Sequence, residues 1–318
     1  MKKKVLYIQP IHPAGMDLLR EKYDVVVAGT EDKKALLAAV ADASALVTRL
    51  TKVDKELIDA GRNLKAIAKN GIGVDNIDVA EATARKIAVL TTGPANTSSV
   101  AESIIFAMGA MIKKLPHFNT AMHNGDWACR DEGGFYDVAD RVFGIVGFGR
   151  IGRQVAHIAQ ALNMKVLVFD AFLPREAVEK AGCDYAGSLD ELCAKADFLS
   201  LNMPLTKENT HMINAHTLSL MKPTAFVINY SRGQMVDEDA LYNALVEKKI
   251  AGAALDAFYP EPPRFDHPLY KLDNVLLTPH TAGISEDARK RMSINVAKGI
   301  DAVLSGEEPE FCVNKDSL

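Results

Sequence analysis

The sequence predicts an α/β protein with parallel sheets, divided into two domains. Short runs rich in β-branched residues alternate with helical patterns along the chain, and this alternation is typical of βαβ units. A length of 318 residues corresponds to about two domains. Because 48% of the residues are hydrophobic and 25% are charged, each domain can bury a core of its own.

The first series of elements occupies the N-terminal part of the chain. Strands are predicted at residues 5–9, 24–28, 45–48, 66–69 and 87–90, and helices at 16–23, 32–41 and 55–60. After Gly93-Pro94, Ser99 and Glu102 form a capping-box pattern, which predicts a helix from residue 100 to about 118. We expect this long helix to connect the two domains.

A second βαβ series follows a polar stretch at 119–141, which we interpret as an extended connection. Its predicted strands are 141–146, 165–169, 197–202, 225–230, 252–255 and 275–278. A last helix at 284–304 carries the chain out of this domain, and 309–313 returns to the first. The predicted domains are therefore 1–98 with 286–318, and 99–285.

Composition excludes several classes of function. The chain has 37 basic and 41 acidic residues and a net charge of −4, which disfavours binding to nucleic acid or to an anionic membrane. No apolar run approaches the ~20 residues of a spanning helix, so we expect a soluble protein without a signal peptide. The four cysteines are scattered, which favours a reducing cytoplasm and predicts no metal site.

A glycine fingerprint follows the strand pattern at 141–146. Gly147 allows a tight turn, Gly149 lets the backbone approach a pyrophosphate, and Gly152 allows close packing of helix and strand. We predict a dinucleotide site here that includes Arg150 and Ile151 at the start of the helix. For Arg150, a phosphate contact and a solvated side chain both stay open.

Asp170 ends the next predicted strand, 18 positions after Gly152. A carboxylate there accepts ribose hydroxyl protons and repels a 2′-phosphate, so we predict NAD as the cofactor. An ordinary helix N-cap is the alternative for Asp170, and the nearby Arg175 leaves some use of NADP open.

Three polar residues follow three predicted strands. Arg232, Glu261 and His280 each come shortly after a buried run, and the carboxyl ends of parallel strands share one edge of a sheet. Alone, each has an ordinary explanation as a solvated loop residue. Together, His280 can transfer a proton, Glu261 can orient its ring, and Arg232 can clamp a carboxylate. This set favours hydride chemistry on a 2-hydroxy or 2-oxo acid.

With these residues, the sequence resembles the D-isomer-specific 2-hydroxyacid dehydrogenases, particularly 3-phosphoglycerate dehydrogenases without a C-terminal regulatory domain. The resemblance covers essentially the whole chain, and its most specific segments are 71–76, 147–152, 229–233, 256–262 and 278–280. It implies a Rossmann-like nucleotide-binding domain inserted in a discontinuous flavodoxin-like substrate domain, with the active site in the cleft between them. It also implies a homodimer, gives Arg232, Glu261 and His280 the catalytic roles, and places Asp256 at the nicotinamide carboxamide.

The resemblance further implies substrate contacts in the first domain. The family uses the loop that matches Ile72 and Gly73 to bind a carboxylate through backbone amides, as anion-binding nests do, and an ordinary turn is the alternative. Arg49 resembles a position that meets a distal phosphate, although a surface cation is an equally ordinary interpretation. Lys69 also lies in this region, but many relatives carry arginine there, which leaves the identity of the substrate open.

Two further positions bear on the resemblance. Asn202 stands where many relatives carry histidine. The only tryptophan, Trp127, lies in a segment that in the family reaches toward a partner subunit, and packing into its own core is the alternative.

Other functions fit the same residues. One is reduction of glyoxylate, hydroxypyruvate or another 2-oxo acid, and another is formate or phosphite oxidation on the same scaffold. A non-catalytic, NAD-sensing corepressor shares this fold and can keep the same polar trio. The lack of evident interaction tails favours the enzyme.

Overall fold

The computed structural model describes residues 2–318. The chain forms two compact units, one made of the residues up to Asn96 together with Ile284–Leu318, the other of Thr97–Gly283. We refer to them as unit 1 and unit 2. The predicted α/β class with parallel sheets is confirmed, since every pair of neighbouring strands in both sheets is parallel.

Unit 1 contains a five-stranded sheet with helices in the connections. The strands are β1 Lys4–Tyr7, β2 Asp24–Val27, β3 Ala45–Thr48, β4 Ala66–Lys69 and β5 Ala88–Leu90, and the helices are α1 Pro13–Arg20, α2 Lys33–Val40, α3 Lys55–Ala60 and α4 Val79–Ala84. The strand order β2-β1-β3-β4-β5 is the flavodoxin-like order. Alternate residues of β1 point to opposite faces, so Val5 and Tyr7 join one buried cluster while Leu6 joins another.

Unit 2 contains a seven-stranded sheet. Its helices are α5 Thr97–Ile112, α6 Leu115–His123, α7 Arg150–Ala161, α8 Arg175–Glu179, α9 Leu189–Lys195, α10 Ala215–Leu220 and α11 Glu238–Val246. Its strands are β6 Val142–Val146, β7 Lys165–Phe169, β8 Asp184–Tyr185, β9 Phe198–Leu201, β10 Phe226–Asn229, β11 Gly252–Leu255 and β12 Val275–Leu277. The order β12-β11-β10-β9-β6-β7-β8 is the Rossmann order with one additional strand. The order reverses between β6 and β9, where such sheets bind their ligands.

The C-terminal segment returns to unit 1. Helix α12, Glu286–Ser305, packs on α1, where a Cβ atom on Gly15 would overlap the backbone of Ser293. The Ser293 hydroxyl accepts a hydrogen bond from the Gly15 N–H at 3.0 Å. Farther on, Cys312 forms an antiparallel bridge with Leu90 at the edge of the sheet. The close approach of Gly15 to the Ser293 backbone therefore holds α12 against α1.

The prediction of one helix over 100–118 was wrong. The structure has two helices, α5 and α6, because Lys114 takes a left-handed backbone conformation with φ +50°. Helix α5 begins at Thr97, so Ser99 lies inside its first turn and is not the N-cap. The stretch 119–141 was predicted to be extended, but it contains the end of α6 and a short 3₁₀ helix, Ala128–Asp131.

One short α-helix and one short strand were not predicted, α4 with six residues and β8 with two. Within residues 2–318, no helix is both long and apolar enough to span a bilayer.

Candidate active site

The glycine fingerprint forms the turn from β6 into α7. Gly147 has φ +89°, and a Cβ atom there would lie 2.8 Å from the Met203 Cβ. A Cβ atom on Gly152 would overlap the Gly147 carbonyl oxygen, so both positions require glycine. Gly149 is the N-cap of α7 without a side-chain cap, and the space where its Cβ would stand is open. Uncapped N–H groups beside open space fit the pyrophosphate of a dinucleotide.

Asp170 lies directly after β7 and binds the fingerprint loop. One of its oxygens accepts a hydrogen bond from the Phe148 N–H at 2.7 Å. The other oxygen accepts from the N–H groups of Phe172 and Leu173 at 2.9 and 3.0 Å. Burial would raise the pKa of Asp170, but these three donors and the charge of Arg153 lower it below its usual value. The helix N-cap interpretation is wrong, because α8 begins later and its N-cap is Pro174.

The three hydrogen bonds leave Asp170 with about one of the four acceptor sites of a carboxylate. The cations nearby have other contacts. Arg153 lies over the Phe148 ring at 4.5 Å, and Arg175 lies over the Tyr185 ring at 5.2 Å while it pairs with Glu179. Arg150 and Ile151 stand in the first turn of α7, where Arg150 is exposed.

Glu261 and His280 form a hydrogen-bonded pair. The two loops that carry them follow β11 and β12, which are neighbours in the sheet. The His280 Nδ1 lies 2.8 Å from the Glu261 Oε1 and 2.9 Å from its Oε2. Burial would raise the pKa of Glu261, but hydrogen bonds from His280 and from the Phe258 N–H, with the charge of Arg232, lower it. A charged glutamate holds the proton on Nδ1, which leaves Nε2 for proton transfer.

Arg232 follows β10. Its positive charge acts on Glu261, and its backbone is held by contacts with neighbouring residues. Asn229, which is 1% exposed, donates a hydrogen bond from its amide to the Arg232 carbonyl oxygen at 2.9 Å. The same amide accepts one from the Ser231 N–H at 3.2 Å. A Cβ atom on the next residue, Gly233, would overlap the backbone of Phe258. The structure thus brings the three predicted catalytic residues together at the carboxyl edge of the sheet.

Asp256 lies directly after β11 and is 1% exposed. Its Oδ1 accepts hydrogen bonds from the Thr278 hydroxyl at 2.6 Å and from the Thr281 N–H at 2.8 Å. Its Oδ2 accepts one from the Ala282 N–H at 3.0 Å. The residue expected at the nicotinamide carboxamide therefore bonds to the loop that carries His280.

The residues predicted for the substrate lie at the carboxyl edge of the sheet of unit 1. Lys69 donates hydrogen bonds from its ammonium group to the Arg49 carbonyl oxygen and, at 2.7 Å, to the Asn76 Oδ1. Asn76 in turn donates to the Thr51 carbonyl oxygen at 2.7 Å. Lys69 therefore connects two loops. The guanidinium of Arg49 has no hydrogen-bond or ion-pair partner among residues 2–318.

The loop at 71–73 follows β4. Ile72 is exposed, and neither it nor Gly73 donates a backbone hydrogen bond to another part of the described chain. Asn202, by contrast, donates from its amide to the carbonyl oxygen and the hydroxyl of Ser200, both at 3.1 Å. The backbone N–H groups of Ile72 and Gly73 are therefore free, whereas the Asn202 side chain supports its own loop.

Sequence reasoning missed Asn229 and Gly233 as residues that place Arg232. The available signal was a buried amide at the end of an apolar strand, followed by a glycine four positions later. Among residues 2–318, no group of three or more His, Cys, Asp or Glu side chains could hold a metal ion.

Comparison with known proteins identifies the family. Residues 105–282 match the family model described as "D-isomer specific 2-hydroxyacid dehydrogenase, NAD binding domain". The chain is 39% identical to the D-3-phosphoglycerate dehydrogenase of Methanocaldococcus jannaschii over 99% of its own length, but it spans only 60% of that protein. It is 39% identical to the glyoxylate reductase of Thermococcus litoralis over its whole length and 98% of the relative.

A solved structure agrees with these sequence relatives. The NADPH-dependent glyoxylate/hydroxypyruvate reductase of Sinorhizobium meliloti, in complex with NADP and malonate, superposes with a TM-score of 0.88. The two chains are 30% identical, and the match covers 100% of this chain and 98% of the other. The predicted fold, enzyme class and nicotinamide cofactor are confirmed. The chain belongs to the D-isomer specific 2-hydroxyacid dehydrogenase family of nicotinamide-dependent oxidoreductases.

Proposed function

We propose that the protein interconverts a small D-2-hydroxy acid and its 2-oxo acid with NAD, and that Arg232, Glu261 and His280 are its catalytic residues. The observation that carries this proposal is the contact between the His280 Nδ1 and both oxygens of Glu261. The bound nicotinamide supplies or accepts the hydride. The protein must then move one proton, stabilise one carbonyl oxygen and hold one carboxylate.

His280 is the proton-transfer residue in this scheme. Its Nδ1–H is held by Glu261, so its Nε2 accepts the hydroxyl proton during oxidation and returns it during reduction. The negative charge of Glu261 stabilises the imidazolium that forms in oxidation. Arg232 presents a planar fork of donors, which suits the carboxylate and the adjacent oxygen of a 2-oxo acid.

Asp170 favours NAD over NADP, while the fingerprint loop suits the pyrophosphate that both cofactors share. Gly147, Gly149 and Gly152 provide the pyrophosphate site, with Arg150 and Ile151 at the helix start. The remaining acceptor site of Asp170 can take a ribose hydroxyl, and its negative charge opposes a 2′-phosphate. Arg175, the cation that could have accepted that phosphate, is paired with Glu179. Asp256 would bind the nicotinamide carboxamide.

For the substrate, we favour 3-phosphoglycerate and phosphohydroxypyruvate. The unpaired guanidinium of Arg49 is a suitable contact for a distal phosphate. The free backbone amides of Ile72 and Gly73 suit the carboxylate of the substrate. Lys69 supports the neighbouring loops through its bonds to Arg49 and Asn76. The second candidate is glyoxylate or hydroxypyruvate, because the glyoxylate reductase relative matches this chain over nearly its full length.

A substrate panel tests the proposed function. Oxidation of NADH would be followed with phosphohydroxypyruvate, hydroxypyruvate, glyoxylate, pyruvate and a branched 2-oxo acid. We expect turnover with several acids and the highest kcat/KM with phosphohydroxypyruvate. NADH binding without turnover of any acid would support a corepressor instead, and a preference for glyoxylate would support the second candidate.

We also propose a cytoplasmic homodimer. All four cysteines are free thiols, as in a reducing compartment. Helix α6 has no buried residue, and Leu115, Met122 and Trp127 are exposed large apolar side chains on this segment. Trp127 is 65% exposed, so packing into its own core is wrong. A second copy could cover this apolar surface. Light scattering should show a dimer that Met122→Asp dissociates, and a monomeric wild type would contradict the proposal.

A further inference from the structure

The carboxylate of Asp256 makes all three of its hydrogen bonds to one short segment. The donors belong to Thr278, Thr281 and Ala282, which flank His280 on both sides. A carboxylate offers about four acceptor sites, so about one site remains, on Oδ2. Most of the hydrogen-bonding capacity of this buried side chain therefore serves the segment 278–282.

The backbone at His280 requires such support. His280 has φ +52°, in the left-handed region that residues with a Cβ atom rarely adopt. Its N–H bonds to the Thr278 carbonyl oxygen at 3.0 Å, which closes a tight turn. An unfavourable conformation of this kind persists only where the surrounding structure determines it. The side chain that bonds to this turn on both sides of the histidine is Asp256.

We propose that Asp256 is a positioning residue for His280, holding the 278–282 turn so that the imidazole meets Glu261. This inference rests on the proposed function of His280 in proton transfer. It goes beyond the contact with the nicotinamide carboxamide, which the remaining Oδ2 site can still make. One buried carboxylate would then connect the cofactor to the residue that moves the proton.

Variants of Thr278 test the proposal without removing the carboxylate. Thr278→Val removes one donor to Asp256 and keeps the volume of the side chain. Because small displacements of a reacting group can reduce rates by up to ~10²-fold, we expect kcat to fall about tenfold or more while the Kd for NADH stays within about twofold. Thr278→Ser keeps the hydroxyl and should restore kcat to within about threefold of the wild type.

Thr217→Val is the matched control. Like Thr278, Thr217 lies in unit 2 and has a hydrogen-bonded hydroxyl; it is buried at the start of α10, where the hydroxyl accepts from the Asn214 N–H at 2.9 Å. This variant should lower the melting temperature and leave kcat unchanged. If both valine variants lower kcat equally, loss of kcat reflects general destabilisation and the positioning role is overturned.

Asp256→Asn separates positioning from cofactor binding. An amide NH₂ in place of one oxygen would face a hydrogen-bond donor, so the turn should loosen and kcat should fall by more than tenfold, a larger factor than any rise in the Kd for NADH that comes from the altered carboxamide contact. A Kd raised tenfold or more with kcat retained would show that Asp256 serves the carboxamide alone and would overturn the proposal.

A readout without substrate distinguishes this inference from the proposed function. The side-chain NMR signals of ¹⁵N-labelled histidines can be assigned to His280 by their loss in His280→Ala. We expect them to move in Thr278→Val and Asp256→Asn but not in Thr278→Ser. Unchanged signals would overturn the positioning role even in an enzyme that turns over every acid. Moved signals in a protein without turnover would leave positioning intact and contradict only the proposed function.

Discussion

The carboxyl edges of the two sheets carry similar residue types but use them differently. At the edge of the unit 2 sheet, two titratable side chains bond to each other, His280 to Glu261. At the edge of the unit 1 sheet, the ammonium group of Lys69 bonds to a backbone carbonyl and an amide. The position after a parallel strand therefore indicates where a site lies. Whether a charged residue takes part in the chemistry depends on the atoms that it contacts.

The largest expected effect concerns His280. His280→Ala should lower kcat by roughly 10²–10⁴-fold, the usual contribution of positioned proton transfer, while NADH binding measured by fluorescence stays close to that of the wild type. His157→Ala, at an exposed position on α7, is the control and should keep full activity. A turnover loss smaller than tenfold for His280→Ala would show that His280 does not transfer the proton, and the two sheet edges would no longer differ in this respect.

Arg232 should give the next largest effect. Arg232→Ala should lower kcat/KM by roughly ten- to a hundredfold for every acid in the panel, because a hydrogen bond to a charged group is worth ~1.5–3 kcal/mol. The measurement is steady-state kinetics with phosphohydroxypyruvate, glyoxylate and pyruvate. An effect restricted to one acid would show that Arg232 does not bind the carboxylate that they share.

Asp170 tests the cofactor preference. Asp170→Ala should lower the ratio of kcat/KM for NAD to that for NADP about tenfold, since a charged acceptor for the ribose is lost. Glu191→Ala is the matched control, because Glu191 also accepts from a loop N–H, that of Gly187 at 2.7 Å, and it should leave the ratio unchanged. An unchanged ratio in Asp170→Ala would show that the carboxylate serves only its loop.

The same variant should show a pH-dependent loss of stability. The pKa of Asp170 is lowered in the folded protein, so its contribution is fully present above the unfolded-state value of ~3.9 and is lost as pH falls through the lower folded value. The melting temperatures of wild type and Asp170→Ala should therefore differ at neutral pH and converge only in strong acid. Convergence already near pH 5 would contradict the lowered pKa.

The smallest expected effect is at the edge of the unit 1 sheet. Arg49→Ala should lower kcat/KM about fivefold for phosphohydroxypyruvate, as for an ion pair worth ~1 kcal/mol, and should spare glyoxylate. Lys69→Met should affect all acids alike, because Lys69 supports the loops. The exposed Arg62→Ala is the control for a general change of charge. Equal losses for every acid in Arg49→Ala would contradict the phosphate contact.

The sequence could predict the fold class because the patterns that carry it are local. Apolar runs and glycine turns indicate each element on its own, and the order of elements dictates parallel sheets. The break between α5 and α6 escaped prediction because the apolar residues continue through it, at Leu115 and Phe118. Leu115 is exposed and Phe118 is half-buried, because the backbone turns at Lys114. Periodicity alone does not report such a turn.

Because sequence patterns report only local features, they identified some residues of the site and missed the contacts between them. Strand ends and a glycine fingerprint identified Arg232, Glu261 and His280 as candidates, because each stands a few residues after a buried run. The partners of Asp256 lie more than twenty positions away along the chain, and their contact depends on the pairing of β11 with β12. Residues joined only by the fold leave no pattern in the local sequence.

The central claim is that Glu261 and His280 act as one unit, and a double-mutant cycle tests it most directly. Steady-state kcat/KM would be measured for wild type, Glu261→Gln, His280→Ala and the double variant with phosphohydroxypyruvate. If Glu261 works through His280, the double variant should be no slower than His280→Ala within about twofold. Losses that multiply would show two independent residues and would contradict the account.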